Sequence, residues 1–336
     1  DPIKATNLKL SYSDEEVIHF GLIPRAHRCI FVLNELPDLQ PRIQVSLFSI
    51  LEEKEIQIRG FKVRLPLDIQ FIFTSNPEDY TNRGSIVTPL KDRIGSQILT
   101  HYPESVDIAK TITSQESKLN SETISKIHIP EIARDIIEQV SFEARESELV
   151  DKKSGVSARM SITSLQNLVS SAERRMLINK EEITSIRMSD FNSVISSING
   201  KVELVYEGEE EGAEQVSYNL ISDAVKTLFT KYFPKIEKLT KPDEISVYDS
   251  ILEWFTVNQV ILRDDLSNKD YESILNKVKD ADSLLNKFIP DIDKKDKLFF
   301  IEFLLWGLES FKKLTIMRTN NGVEFKDPFN NFINKI

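Results

Sequence analysis

Ile30-Phe31-Val32-Leu33-Asn34-Glu35 runs from apolar side chains straight into an amide and a carboxylate. A continuous apolar run of this length reads as a strand buried on both faces of a parallel sheet. A second, largely apolar strand spans Leu67 to Thr74 and ends at Ser75-Asn76-Pro77. Between them, Leu39, Ile43, Leu47 and Leu51 recur at helical spacing. Next, Ile56-Gln57-Ile58-Arg59 and Phe61-Lys62-Val63-Arg64 alternate apolar and polar or basic residues around Gly60, the pattern of a β-hairpin. In open parallel sheets, chemistry sits at the carboxyl ends of the strands. Glu35 is thus placed where a carboxylate orients a water for attack on a phosphate. The plainer alternative is a core strand ending in a surface acid.

The pattern changes after residue 103. Val106, Ala109 and Ile112, then Ile132, Ile136, Ile137 and Val140, recur at intervals that define helix faces. Met160, Leu165, Leu168, Val169 and Ala172 continue this over 157–177, and Ser189-Asp190 caps a short helix through Phe191, Val194 and Ile198. Residues 149–156 read as a loop, 202–206 as a short strand and 207–212 as an acidic, glycine-broken linker. Helices are predicted over 216–233, 244–257, 268–288 and 294–314, punctuated by Pro234, Pro242 and Pro290. Phe299 to Trp306 reads as a buried helix, Asn321-Gly322 as a turn, and Phe325, Phe329 and Phe332 as residues that dock the tail.

The order of features carries a resemblance. Gly21-Leu22-Ile23-Pro24-Arg25-Ala26 precedes the strand with Glu35; then come helix, hairpin, the strand ending in Asn76, and Leu90-Lys91-Asp92-Arg93. This resembles the AAA+ ATPases of the magnesium-chelatase I subunit and MoxR-like group, in which a hairpin precedes the sensor 1 strand. The resemblance implies a Walker B dyad at Asn34-Glu35, with Glu35 polarising the attacking water and Mg2+ reached through water. Asn76 matches sensor 1, Arg93 the arginine finger presented to a neighbouring subunit, and Arg159, in Gly155-Val156-Ser157-Ala158-Arg159, the sensor 2 arginine of a helical lid. The competing readings are a turn former before Pro77 for Asn76, a solvated charge for Arg93 and a helix-surface arginine for Arg159.

Two departures from that family bear on chemistry. A phosphate loop, G-x-x-x-x-G-K-[ST], supplies backbone amides, a lysine and a magnesium-binding hydroxyl. The ten glycines here never form it; Gly200-Lys201 is followed by valine. The expectation is that the loop lies upstream in a longer protein, so that this chain alone neither binds ATP tightly nor hydrolyses it. A relic that does not bind ATP is the alternative. Asn34 also stands where the family has aspartate, and a neutral amide holds a magnesium-bound water less strongly.

Composition narrows the classes. With 336 residues and 40% hydrophobic content the chain is long enough for two or three domains. A net charge of −10 and a pI near 5.2 argue against broad nucleic-acid binding. The basic Arg59, Lys62 and Arg64 on the hairpin are a local exception, read either as a contact patch or as a solvated face. One cysteine, Cys29, excludes an internal disulfide, fits a reducing compartment and reads as a small core residue. The four histidines lack metal-ligand spacing, and no apolar run reaches the length of a membrane span.

The predicted architecture is an α/β AAA+ core of P-loop type, a three-layer parallel sheet lacking its Walker A part, over 1–103. A helical lid follows over 104–200, and a mainly helical C-terminal domain over 201–336. The resemblance implies a homo-oligomeric ring with ATP and Mg2+ as cofactors. It also implies cytoplasmic remodelling or maturation of a partner protein, metal or cofactor insertion included, with von Willebrand factor A proteins as a partner class. A non-catalytic AAA+-derived scaffold and a transcription ATPase of sigma-54-activator type are the rivals.

Overall fold

The computed structural model describes residues 2–10, 14–17, 19–57, 64–76, 85–236, 246–319 and 321–328. The chain divides into two compact units, Asp1–His101 and Tyr102–Ile336.

In the first unit, β1 (Ile30–Leu33) leads to α1 (Pro41–Glu53), then β2 (Glu55–Gln57), β3 (Arg64–Pro66), β4 (Gln70–Phe73) and α2 (Thr88–Asp92). Pro41 opens α1 where a missing N–H costs nothing, and Lys54 closes it in the left-handed conformation. Strands β1 and β4 pair in parallel, Leu33 opposite Phe73; β2 and β3 pair antiparallel, as the alternation predicts. The hairpin tip with Arg59, Gly60 and Lys62 lies outside the described residues.

Leu36, Leu47, Ile50, Leu67 and Leu90 form the core of this unit, with half-buried Leu33, Phe71 and Phe73 against them. Buried Gln44 pins the approach to α2. Its amide donates to Leu39 O and Ser85 O, and its Oε1 accepts Val87 N–H at 2.9 Å. The expectation of strands buried on both faces is corrected. Ile30, Val32 and Ile72 lie on one open face, 65%, 52% and 45% exposed. Among the described residues of this unit, the parallel sheet has two strands and one covered face. Cys29 is exposed rather than in the core.

In the second unit, α3 (Val106–Glu116), α4 (Ser121–Lys126), α5 (Glu131–Glu146) and α6 (Arg159–Asn179) precede α7 (Ile195–Asn199) and α8 (Ala213–Tyr232). Then follow α9 (Asp249–Phe255), α10 (Asn268–Leu275), α11 (Ala281–Phe288) and α12 (Lys297–Ser310). Short parallel strands β5 (Ile127–His128) and β6 (Thr184–Ser185) pair with each other. Strand β7 (Val260–Arg263) joins β8 (Thr315–Thr319) and β9 (Gly322–Lys326) in an antiparallel sheet of order β7-β9-β8. The helices on either side of residue 200 share one continuous core. At its centre is α12, in which every residue from Phe299 to Leu308 is buried.

Several local readings are corrected here. In place of a strand over 202–206 there is a single bridge, Val150 to Leu204, and Tyr206 already opens a helix. The acidic linker is a helix, Tyr206–Glu211, whose Gly208 packs on the Leu149 carbonyl where a Cβ would come within 2.5 Å. The predicted 268–288 helix is two helices, broken at Asp280, whose φ is +57°. Asp190 does not head a helix from the outside. It sits inside a 3-10 turn over Met188–Val194, accepting Arg187 N–H and pairing with Arg175. Phe325 is fully buried as expected, whereas Phe329 and Phe332 lie outside the described residues.

Candidate active site at two strand tips

The parallel register of β1 and β4 sets their carboxyl ends side by side. Asn34 therefore faces Thr74, whose hydroxyl donates to Asn34 Oδ1 at 3.2 Å and accepts Glu35 N–H at 3.1 Å. The ladder closes with Thr74 N–H to Leu33 O at 3.0 Å and Leu36 N–H to Thr74 O at 2.9 Å. Between these bonds Glu35 takes φ +53°, ψ 54°, a left-handed conformation costing a side chain roughly 1–2 kcal/mol. Strain of this kind persists where neighbouring bonds over-determine the backbone, and it concentrates at functional positions. Directly behind it, Leu36 and Pro37 are buried, so the exposed carboxylate stands on a rigid base.

Asn76 lies three residues beyond β4 and is exposed. Arg93, just past α2, is anchored within its own unit. Its Nε and Nη2 donate to Glu52 Oε2 at 2.8 and 2.5 Å, and Nη1 to Pro89 O at 2.8 Å. The guanidinium also lies 5.3 Å from the Phe48 ring centroid. Arg159 opens α6 in the other unit, exposed, its N–H bonded to Ser157 Oγ at 3.2 Å.

The structure thus joins Asn34 and Glu35 through Thr74, places Asn76 on the adjoining tip, and holds Arg93 against Glu52. Thr74 is the residue that sequence reasoning missed as a site member. The signal was present: once Leu33 faces Phe73, the first polar residue of each run must face the other.

An exposed carboxylate and a neighbouring amide suit the water side of a nucleotide, and Asn34 still presents an amide oxygen. The phosphate cradle, a G-x-x-x-x-G-K-[ST] run, is absent from the 336 residues. Among the described residues no cluster of three or more His, Cys, Asp or Glu side chains is arranged to hold a metal ion. None of the helices among them is long and apolar enough to cross a membrane.

Residues 8–95 match the family model of the sigma-54 interaction domain. That domain is of the AAA+ family, whose members are nucleotide-binding ATPases, and the similarity over this segment supports an AAA+ type of α/β fold there. The matched segment contains Asn34, Glu35, Asn76 and Arg93. No curated protein matches the chain. Among solved structures, a Cytophaga hutchinsonii ATCC 33406 protein whose ATPase designation is itself inferred is 19% identical, with a TM-score of 0.24. The match covers 57% of this chain and 64% of that one, less than two thirds of its length. At that TM-score the likeness carries no argument about the fold.

Proposed function

We propose that the first unit is the catalytic half of an AAA+ motor of magnesium-chelatase or MoxR-like type, hydrolysing ATP in a homo-oligomeric ring to remodel or mature a partner protein. The observation that supports this best is the parallel pairing that sets Asn34-Glu35 beside the tip leading to Asn76. In this reading Glu35 polarises the attacking water and Asn76 helps hold it. Asn34 contacts the hydration shell of Mg2+, and Arg159 serves as sensor 2. Arg93 acts across a subunit boundary, where an arginine offsets charge developing on phosphate oxygens. To do so it must leave Glu52, Pro89 O and the Phe48 ring, a half-buried set of contacts at the edge of its unit.

The phosphate loop must then come from a segment outside these 336 residues. The open face of Ile30, Val32 and Ile72 supports this, because parallel sheets of α/β proteins are covered on both sides. A protein with a von Willebrand factor A domain is the partner class proposed from the resemblance, and the cytoplasm the proposed location.

The family match favours a second reading, a transcription ATPase of sigma-54-activator type. The net charge of −10 weighs against direct DNA contact by this chain. A scaffold without nucleotide chemistry is the third.

The experiment is Glu35→Gln in the complete protein. The proposal expects ATP affinity to be retained and hydrolysis to fall at least about a hundredfold, the scale of a lost general base. Unchanged hydrolysis removes Glu35 from the mechanism. Absence of ATPase activity in the unsubstituted complete protein supports the scaffold.

A further inference from the structure

The second unit holds a cavity of 560 Å³, independent of the strand tips, lined by β5, β6, one face of α10 and the segment entering α12. This volume falls within the range of small-molecule sites. Its charge is opposite to that of the protein. Lys126, Arg187, Lys294, Lys295 and Lys297 line it against one carboxylate, Glu272, in a chain of net charge −10.

Arg187 is the telling member. It is 2% exposed, and its guanidinium donates only to neutral oxygens, Leu266 O at 2.9 Å and Asn268 Oδ1 at 3.1 Å. The Tyr271 ring lies under it, 4.1 Å from centroid to guanidinium carbon. Among the described residues Arg187 has no ion-pair partner; the nearby buried carboxylate of Asp190 is taken by Arg175. Glu302 acts on Arg187 only at longer range, and burial pushes its own carboxyl up to about 7, which halves its charge near neutrality. A buried charge without a close counterion is costly, and here the cost is met beside a cavity that an anion can enter.

The rim extends the pattern. Lys126 and Lys297 hold Glu122 and Asp282. Exposed Lys294 and Lys295 have no ion pair among the described residues. A buried arginine and two exposed lysines in one lining exceed what one carboxylate needs and suit a phosphate group. Ile183, Ile186 and Leu298 add apolar lining for the body of such a molecule.

We propose that this cavity binds a phosphate-bearing small molecule, with Arg187 as its buried contact and Lys294 and Lys295 at its mouth. The test is calorimetry on the full chain with pyrophosphate as the probe, at fixed ionic strength, alongside amide NMR shifts. Saturable one-site binding is expected, with shifts at Ser185, Arg187 and Asn268. Lys294→Glu with Lys295→Glu is expected to raise Kd at least about tenfold. The control pair Lys152→Glu with Lys153→Glu, exposed and outside the cavity, should change it less than about twofold. Arg187→Lys keeps the charge without the fork and is expected to weaken binding, with folding checked by the NMR spectrum. Lack of saturable pyrophosphate binding overturns the assignment. So does an equal loss in the Lys152/Lys153 control, or binding of a glutamate-rich peptide where pyrophosphate fails.

Discussion

The Thr74 hydroxyl donates to Asn34 Oδ1 at 3.2 Å, tying the first polar residue beyond one strand to the first beyond its parallel neighbour. Because the same oxygen accepts Glu35 N–H, the strained backbone of Glu35 depends on a side chain just past β4. Thr74→Val keeps the shape and removes both bonds. The first unit should lose about 0.5–1.5 kcal/mol of stability in chemical denaturation. ATPase activity of the complete protein should fall by more than that loss of folded material explains. Thr74→Ser, which keeps the hydroxyl, should restore most of it. Equal rates in Thr74→Val and Thr74→Ser would show that the bond does not position Glu35.

Gly307 is set by packing alone. It lies within α12, where a Cβ would come 2.0 Å from Phe229 Cδ2 and 2.3 Å from Cε2. Phe229 cannot retreat, since it packs on Phe233, Phe303 and Phe311. Gly307→Ala should therefore cost roughly 1–3 kcal/mol, although alanine favours helix. Thermal unfolding of the full chain checks this; an unchanged or raised midpoint would mean that the core yields there.

Glu302 gives the second unit a pH dependence. Its Oε2 accepts Tyr271 O–H at 2.5 Å and Met188 N–H at 3.0 Å, deep in the core. Burial raises its pKa to about 7 against an ordinary 4.5, opposed by the Tyr271 bond and by Arg187, and reinforced by Asp190. The folded chain thus holds a proton that the unfolded chain releases above 4.5. The stability from this group is complete below about pH 4.5 and is lost as pH rises through about 7, about 3 kcal/mol in all. Glu302→Gln keeps an acceptor for Tyr271 and should flatten that part of the slope. Denaturation free energies at about pH 5 and about pH 8 measure it, and an unaltered slope in the variant assigns the dependence elsewhere.

Much of this was legible in the chain. Period and punctuation define β1, α1, β4 and the long helices because each buries its own face with local help. What escaped depends on distant partners. Gly208 reads as a helix breaker, yet it permits close contact with Leu149 O. Strand β7 is distant in sequence from the β8–β9 hairpin that it joins, and only that pairing defines the sheet. Nothing in the local pattern marks Arg175 and Arg187 as interior, while the fold buries both. At the site, Glu35 was legible from its place after an apolar run. Thr74 needed the register, and the Arg93–Glu52 pair needed the packing of α2 on α1. The open face of β1 and β4 departs from the both-faces rule, since none of the described residues of this unit covers Ile30, Val32 and Ile72.

The central claim, that Glu35 and Arg93 from neighbouring subunits complete one ATP site, has a direct test. In the complete protein, Glu35→Gln subunits lack the water polariser but keep Arg93; Arg93→Ala subunits keep Glu35 but supply no finger. Arg93→Ala loses the half-buried contacts to Glu52, Pro89 O and Phe48 at the edge of the unit but leaves its apolar core intact, and should remain folded. Each variant alone should be nearly inactive, since finger arginines are worth about 10³–10⁵ in rate. The measurement is steady-state ATPase against mixing ratio, with subunit exchange confirmed. The account predicts activity that rises to a maximum in mixed rings, where an intact Glu35 site faces an intact Arg93. Mixed rings no more active than either parent would contradict it.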